Sequence, residues 1–515
     1  MKKLAEIVKK NSGFILTLLG VFIGLCIFFI NVHPIVPYDG DDWLLFSQFR
    51  HAVPMTGYWN PSRVFQGIFY PLMGMISAFI VYPLTNDYLF SFAVTLALFL
   101  AFSFTFLYAS LYKLFLSVSK NRIISAAGCL LVLIFYFGFF KSKYNSVYML
   151  YALNYTCVVC YILPGLLNSI LVSILLRYQI KNVEILPEKT GKLKFGFLLL
   201  FSYLAVFSIL FESIILAGYC LLYIVFTVIR EKKYDAKKLA YYSFVVFGFL
   251  VYCIFEVTGA RAGADTINTF ALNGSTSFFQ RMIIGVETSG QLFGQINPVF
   301  LVFSVLIFAG AVGLAAVRFI GSKKLSLDLP GLITLILVPG SYAVIIIISA
   351  YAGALFYPQF LMVMYGVFFY YFLLAAFSLI RILEVKKISL IFVPLVFLFF
   401  SNELLNGNYR FNDQFSYFWT DQTLSTAKKM ELTNDWINQV KEADVTGRWE
   451  VTLFVPDYPN HNDMPHPGGY WATSFSAALY IHRITKRYIS VNIEYADGIL
   501  PGNFFPEESA LDKPE

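Results

Sequence analysis

An acidic cluster lies close to the N-terminus of the chain, where Asp39, Asp41 and Asp42 fall within four residues. Carboxylates crowded at an apolar boundary repel one another and are poorly hydrated, and both effects raise a pKa toward the range of a general base. The same three side chains could hold a Mg²⁺ or Mn²⁺ ion, which needs few protein ligands. A solvated acidic loop explains the spacing as well. The cluster is therefore a candidate catalytic base, a candidate metal site or a simple surface loop.

A further ionisable group, Glu212, is the single charge in the apolar stretch 195–229. One helix of that length would extend about 50 Å, too long for a bilayer. We therefore predict two short helices that turn outside the membrane at 211–213. A charge at such a depth is a functional candidate by default, and a structural turn residue is the alternative.

Asn154 and Tyr155 place an amide and a phenol at the predicted outer end of another apolar helix. Such groups suit hydrogen bonds to sugar hydroxyls. They also fit the belt of aromatic side chains that is common at membrane interfaces. Both interpretations stay open.

The composition of the whole chain indicates an integral membrane protein. Of 515 residues, 58% are hydrophobic and only 13% are charged, with a mean hydropathy of +0.68, whereas a soluble domain has about 25% charged residues. Apolar blocks recur at about the length needed to cross ~30 Å of hydrocarbon. The net charge of +7 comes from short basic clusters between these blocks, which indicates topology control rather than nucleic-acid binding.

The apolar blocks predict an all-α polytopic protein of about eleven transmembrane helices. The predicted spans are 12–32, 88–112, 123–140, 151–176, 195–210, 213–229, 239–257, 298–320, 330–350, 359–381 and 388–402. A further apolar segment, 66–84, decides the topology. If this segment does not cross the membrane, 23 Lys and Arg residues lie on one face, and six lie on the other when the C-terminal tail is left out. If the segment crosses, every later loop changes sides and the difference between the faces is lost. The positive-inside rule therefore favours a re-entrant or juxtamembrane helix over 66–84.

This topology predicts a plasma-membrane protein with a cytoplasmic N-terminus and an extracytoplasmic C-terminus. The chain divides into a transmembrane domain, 1–402, and a smaller polar domain, 403–515. The polar domain has the pattern of a small α/β unit. Its predicted elements are a helix over 423–441, a strand over 449–455, a helix over 471–484 and a strand over 487–494.

Several of these residues together resemble a known family, the bacterial Gtr-type polytopic glucosyltransferases, which belong to the GT-C group of glycosyltransferases. The resemblance covers about residues 12–400 and is most specific in the first outer loop. It is carried by an acidic pair directly after the first helix, a basic residue some twenty positions later, an Asn-Tyr pair and a membrane-edge glutamate: Asp41, Asp42, Arg63, Asn154, Tyr155 and Glu212.

The resemblance implies a membrane enzyme that moves a sugar, with inversion, from a polyprenyl-phosphate donor to an extracytoplasmic polysaccharide or glycolipid. Asp41 or Asp42 would be the base, and a juxtamembrane helix in the first outer loop would be typical. The sequence departs from the family at 357–359, where an arginine for the donor phosphate is expected. The phosphate is then left to Arg63, Arg261 or Arg281. The remaining substrate contacts are predicted at Asp39, Trp43, Asn154, Tyr155, Glu212 and Gln359.

Two other classes of membrane protein are the main alternatives. A transporter or flippase of lipid-linked sugars would need charged or broken helices near the bilayer midplane, and the predicted spans carry almost no internal charge. A polysaccharide polymerase typically has a large outer loop rich in Arg and His. The longest predicted outer loop, 258–297, holds only Arg261 and Arg281 of these types.

Overall fold

The computed structural model of the protein describes eleven segments of the chain. They are residues 12–38, 40–47, 52–58, 60–140, 148–152, 154–258, 277–322, 329–385, 414–416, 423–456 and 469–496. Three of the predicted features lie outside the described residues: Asp39, Arg261 and the span 388–402.

The described part of the chain is mostly helical, and nine of its helices are long and apolar enough to cross a membrane. This confirms the prediction of a multi-pass membrane protein. The helices of the first domain are α1 Ser12–Val32, α2 Gly40–Phe46, α3 Val64–Thr85, α4 Tyr88–Ser119, α5 Arg122–Gly138, α6 Tyr155–Ile180, α7 Lys192–Val206, α8 Leu210–Glu231, α9 Ala236–Thr258, α10 Phe278–Phe293, α11 Pro298–Ser322, α12 Leu329–Ala352 and α13 Tyr365–Leu383.

Local capping explains where the central helices begin. The Asp87 side chain accepts a hydrogen bond from the Phe90 backbone N–H at the start of α4. The Asn121 side chain does the same for α5, with the Ile123 and Ile124 N–H groups as donors. Each cap satisfies donors that a helix start leaves unpaired, so these polar residues separate apolar runs into distinct helices.

Helix α3 corresponds to the ambiguous segment 66–84 and is one of the nine described helices that are long and apolar enough to cross. Phe14 of α1 stacks on Tyr112 near the end of α4, whereas Trp43, which follows α1, meets Phe92 near the start of α4. Helices α1 and α4 are therefore antiparallel, and the chain leaves one and enters the other at the same end of the bundle. If α3 crossed, the polar segment 47–63 would have to cross as well, so this arrangement supports the juxtamembrane interpretation.

The stretch 195–229 forms two helices, as predicted, but the predicted turn position is wrong. Helix α7 ends at Val206 and α8 begins at Leu210. The Glu212 backbone N–H donates to the Ile209 carbonyl, so this residue is in the first turn of α8. The prediction assumed that the only charge must mark the solvent-facing turn. In the structure Glu212 is instead fully buried.

The C-terminal domain confirms the predicted α/β pattern. It contains α14 Thr426–Val445, β3 Glu450–Pro456, α15 Gly469–Ile481 and β4 Ser490–Ala496, and a small antiparallel pair precedes them, β1 Gln414–Ser416 with β2 Thr423–Ser425. Strands β3 and β4 are parallel, with α15 as the crossover between them.

The two domains share a core at α2. The indole N–H of Trp471 donates to the Tyr38 carbonyl at 3.2 Å. The Trp43 ring lies edge-on to Phe475 with centroids 4.9 Å apart, and both rings are fully buried. The short helix α2, which carries the acidic pair, is thus packed between the helical bundle and the C-terminal domain.

Candidate functional site

Asp42 is a buried carboxylate that ties the first loop to helix α6. It is fully shielded from solvent. Its Oδ1 accepts hydrogen bonds from the Thr156 backbone N–H at 2.7 Å and the Thr156 hydroxyl at 2.5 Å. Its Oδ2 accepts one from the Tyr38 backbone N–H at 3.0 Å. Because Thr156 is in the first turn of α6, the carboxylate also benefits from the positive end of that helix.

Asp41 is its neighbour in the first turn of α2 and is exposed. The bonds made by Asp42 hold α2 against α6, and consecutive helical residues point about 100° apart. The structure thus separates the acidic pair into one buried and one solvent-facing carboxylate. Of the two predicted bases, Asp41 is the one that an acceptor hydroxyl could reach without breaking the buried contacts.

Three predicted substrate contacts have packing or capping roles in this structure. Trp43 lies between Phe92 and Phe475. Asn154 caps α6 by accepting a hydrogen bond from the Cys157 backbone N–H at 2.7 Å. Tyr155 is fully buried. These contacts explain how the loop is positioned, and a direct contact of these side chains with a substrate stays a prediction.

Arg63 stands at the start of α3, at the head of a polar stripe that faces α6. One turn further on, the Gln66 amide donates to the Cys160 carbonyl at 3.1 Å, and the Tyr70 hydroxyl lies 3.9 Å from the Cys160 sulfur. The Nε of Arg63 is buried and has no hydrogen-bond partner among the described residues. Its charge interacts with Glu256 at the end of α9.

Arg281 lies on the first turns of α10. Its Nε is also buried without a hydrogen-bond partner in the described part of the chain. One turn further on, a Cβ at Gly285 would lie 3.9 Å from Pro358. This places α10 against the 3-10 turn Tyr357–Gln359, in which Gln359 is buried.

Tyr161 on α6 lies near both Arg63 and Tyr357. Arg63 and Arg281, near the starts of α3 and α10, thus each have a buried Nε without a hydrogen-bond partner in the described part of the chain. Such groups suit an anion, since guanidinium forms strong bidentate hydrogen bonds with phosphate.

Glu212 lies in a different place, between helices of the bundle. Neither carboxyl oxygen has a hydrogen-bond partner among the described residues. A Cβ at Gly165 would be 2.9 Å from its Oε2 and 2.8 Å from the Tyr365 ring. The Tyr365 hydroxyl in turn shares a 2.7 Å hydrogen bond with that of Tyr136. Glu212 is thus part of a buried polar cluster from α5, α6, α8 and α13.

Some of these contacts could not be predicted from the sequence. Thr156 could have been found only as a polar residue at a predicted helix start. The Tyr136–Tyr365 pair joins residues 229 positions apart, and a tyrosine in an apolar span carries no local signal for its partner.

No group of three or more His, Cys, Asp or Glu side chains that could hold a metal ion occurs within the described segments. Asp39, the third member of the acidic cluster, lies outside them. No family model, curated protein or solved structure was found to match the chain.

Proposed function

We propose that this protein is a membrane glycosyltransferase that moves a sugar from a polyprenyl-phosphate donor to an extracytoplasmic glycan. The observation that carries the proposal is the division of the acidic pair. Asp42 is locked at the start of α6, which leaves Asp41 exposed on a helix that is fixed from both sides. A general base must be both accessible and held in place.

The proposed reaction is a single displacement. Asp41 accepts the proton of the acceptor hydroxyl as its oxygen bonds to the anomeric carbon. The bond between that carbon and the donor phosphate breaks with inversion, and the lipid phosphate leaves with the electron pair. Arg63 and Arg281, with their unsatisfied Nε groups, are the proposed phosphate contacts, together with Arg261. A Mg²⁺ or Mn²⁺ ion at the acidic cluster would add charge stabilisation.

The test is sugar transfer in membranes supplied with radiolabelled polyprenyl-phosphate sugars. We expect Asp41→Asn to abolish labelling of the glycan while the protein still accumulates. Asp435→Asn is the matched control, because Asp435 is an exposed carboxylate of the C-terminal domain, and it should transfer like the wild type. Full activity of Asp41→Asn would refute the proposed base. Addition of EDTA tests the metal separately.

A second candidate function is transport of a lipid-linked sugar, and burial of Glu212 favours it. Glu212 lies 18 residues from Arg230 at the other end of α8, which is about 27 Å along a helix. Its carboxyl group is therefore near the outer edge of a ~30 Å hydrocarbon core but is buried between helices, and buried ionisable groups in membrane proteins often mark transport pathways. Glu212→Gln should abolish uptake of a fluorescent lipid-linked sugar into vesicles if the protein is a transporter. Sugar transfer that depends on Asp41 in vesicles without such uptake would exclude transport.

A further inference from the structure

A polar cavity of about 440 Å³ lies at the opposite end of the bundle from the acidic pair. It is bordered by the last turns of α6, α8 and α13 and by the first turns of α9 and α12. The charged side chains that line it are Glu184, Arg230, Glu231, Lys238 and Arg381, and the amides are Gln179 and Asn182. On the predicted topology this is the cytoplasmic end.

The acidic side chains of the cavity are already engaged. Glu231 pairs with Lys238, and Glu184 pairs with Lys189 at 2.5 Å. Both carboxylates are therefore neutralised by lysines, which limits their repulsion of an incoming anion.

Two side chains that line the cavity have a donor without a partner in the described part of the chain. Arg230 is exposed in the last turn of α8 and forms no ion pair there. The Nε2 of Gln179 is buried and has no hydrogen-bond partner there, while its Oε1 accepts a hydrogen bond from the Tyr219 hydroxyl at 3.0 Å. This bond fixes the amide of a side chain that lines the cavity, and the buried N–H group beside it has no acceptor, although such groups normally have one.

Arginines in the last turn of a helix also interact favourably with the negative end of the helix dipole, and Arg230 and Arg381 occupy such positions. The dipole explains the charge but leaves the cavity and the buried amide donor unexplained. A ligand with several anionic acceptor oxygens explains all three observations.

We infer that this inner cavity binds a phosphate group, held by Arg230 and Gln179. A phosphodiester headgroup of the inner leaflet fits the place, because basic pockets between helices at a cytoplasmic face attract anionic lipids. Free phosphate has the same chemistry, and the experiment must distinguish these two sources. The inference concerns the opposite end of the protein from Asp41 and does not depend on the proposed transferase activity.

The test uses the full-length protein in detergent and native mass spectrometry. One arm adds phosphatidylglycerol, a second adds phosphatidylcholine, and a third adds inorganic phosphate with thermal unfolding as readout. We expect retained phosphatidylglycerol in the wild type and about tenfold weaker retention in Arg230→Gln, since a charge-assisted hydrogen bond is lost. Stabilisation by inorganic phosphate without lipid retention would assign the site to the free anion.

Arg122→Gln is the matched control, because Arg122 is exposed at the start of α5 on the same predicted face and does not line the cavity. It should bind like the wild type. If Arg230→Gln fails to accumulate, Arg230→Lys and Gln179→Leu replace it and should each weaken binding. The inference would be overturned if the variants of Arg230 and Gln179 bound phosphatidylglycerol and inorganic phosphate as well as Arg122→Gln does.

Discussion

The carboxylate of Asp42 accepts a hydrogen bond from the Thr156 backbone N–H at 2.7 Å and thereby joins residues 114 positions apart. This contact fixes the loop after the first membrane helix to the start of α6. It also determines which of the two adjacent aspartates faces solvent.

Asp42→Asn should destabilise the protein. One side-chain oxygen faces two donors from Thr156 and the other faces the Tyr38 N–H. In either orientation the new NH₂ group would meet a donor, and an unsatisfied buried group costs about 1–3 kcal/mol. We expect a lower thermal unfolding midpoint in detergent, with a smaller decrease in Thr156→Val, which loses only the hydroxyl bond. Asp41→Asn should unfold like the wild type, and equal midpoints for Asp41→Asn and Asp42→Asn would contradict this role.

The apolar spans could be predicted because a run of about twenty apolar residues has few alternatives to a membrane helix. The helices α14 and α15 and the strands β3 and β4 also follow from their sequence pattern. Helix α10 does not, because Phe278–Phe293 mixes polar and apolar residues and its pattern predicts part of an outer loop. Amphipathic helices of this kind depend on a packing partner that a local pattern does not reveal.

The residues of the candidate site could be predicted from the sequence, but their arrangement in space could not. Hydropathy placed Asp41 and Asp42 at a membrane edge, but their division into exposed and buried groups depends on Thr156, far away in sequence. Glu212 was assigned to a turn because an isolated charge is expected to reach water. The packing of Gly165 and Tyr365 around it is a property of four helices together.

Gly165→Ala should disturb the buried cluster around Glu212. The added Cβ would lie 2.8 Å from the Tyr365 ring and 2.9 Å from the Glu212 carboxyl, closer than normal contacts. Overpacking of this kind costs about 1–3 kcal/mol, so the unfolding midpoint should fall.

Gly196→Ala is the control for that substitution. Gly196 lies in helix α7 with nothing within 4 Å of its added Cβ. Alanine favours a helix over glycine by about 1 kcal/mol, so this variant should be as stable as the wild type or more so. Unchanged stability of Gly165→Ala would mean that α6 moves away without cost.

The attachment of the C-terminal domain should depend on pH through His482. Its ring shares a 2.5 Å hydrogen bond with the Tyr88 hydroxyl, and Arg483 lies over the nearby Phe79 ring. Burial lowers the pKa of His482 from 6.5 to about 4, opposed in part by the nearby Phe46 backbone. The folded state thus favours neutral histidine, so stability is complete above pH 6.5 and decreases as the pH falls toward 4. The difference corresponds to about 3 kcal/mol.

Hydrogen exchange of the α15 amides at pH values between 7 and 4 measures this effect, after correction for the intrinsic exchange rate. In the wild type, protection of these amides should decrease as the pH falls. In His482→Gln the decrease should be much smaller. Asp444 does not interfere, because the Lys486 backbone N–H and Arg487 hold its pKa below 3.8. The same pH dependence in His482→Gln would assign it to another group.

Asn86 and Lys120 flank helix α4 and test the side on which α3 ends. Both are exposed, and both cap a helix with positive φ, at 56° and 53°. Cysteine should cost little at position 120, where lysine already has a Cβ at positive φ, and somewhat more at position 86, because asparagine tolerates this conformation better. If α3 does not cross and the N-terminus is cytoplasmic, a membrane-impermeant maleimide should label Asn86→Cys in intact cells and reach Lys120→Cys only after permeabilisation. The wild type, with its six cysteines, gives the background. Because α2 packs against the start of α4, the reverse labelling pattern would put the acidic pair on the cytoplasmic face and would remove Asp41 from an extracytoplasmic acceptor.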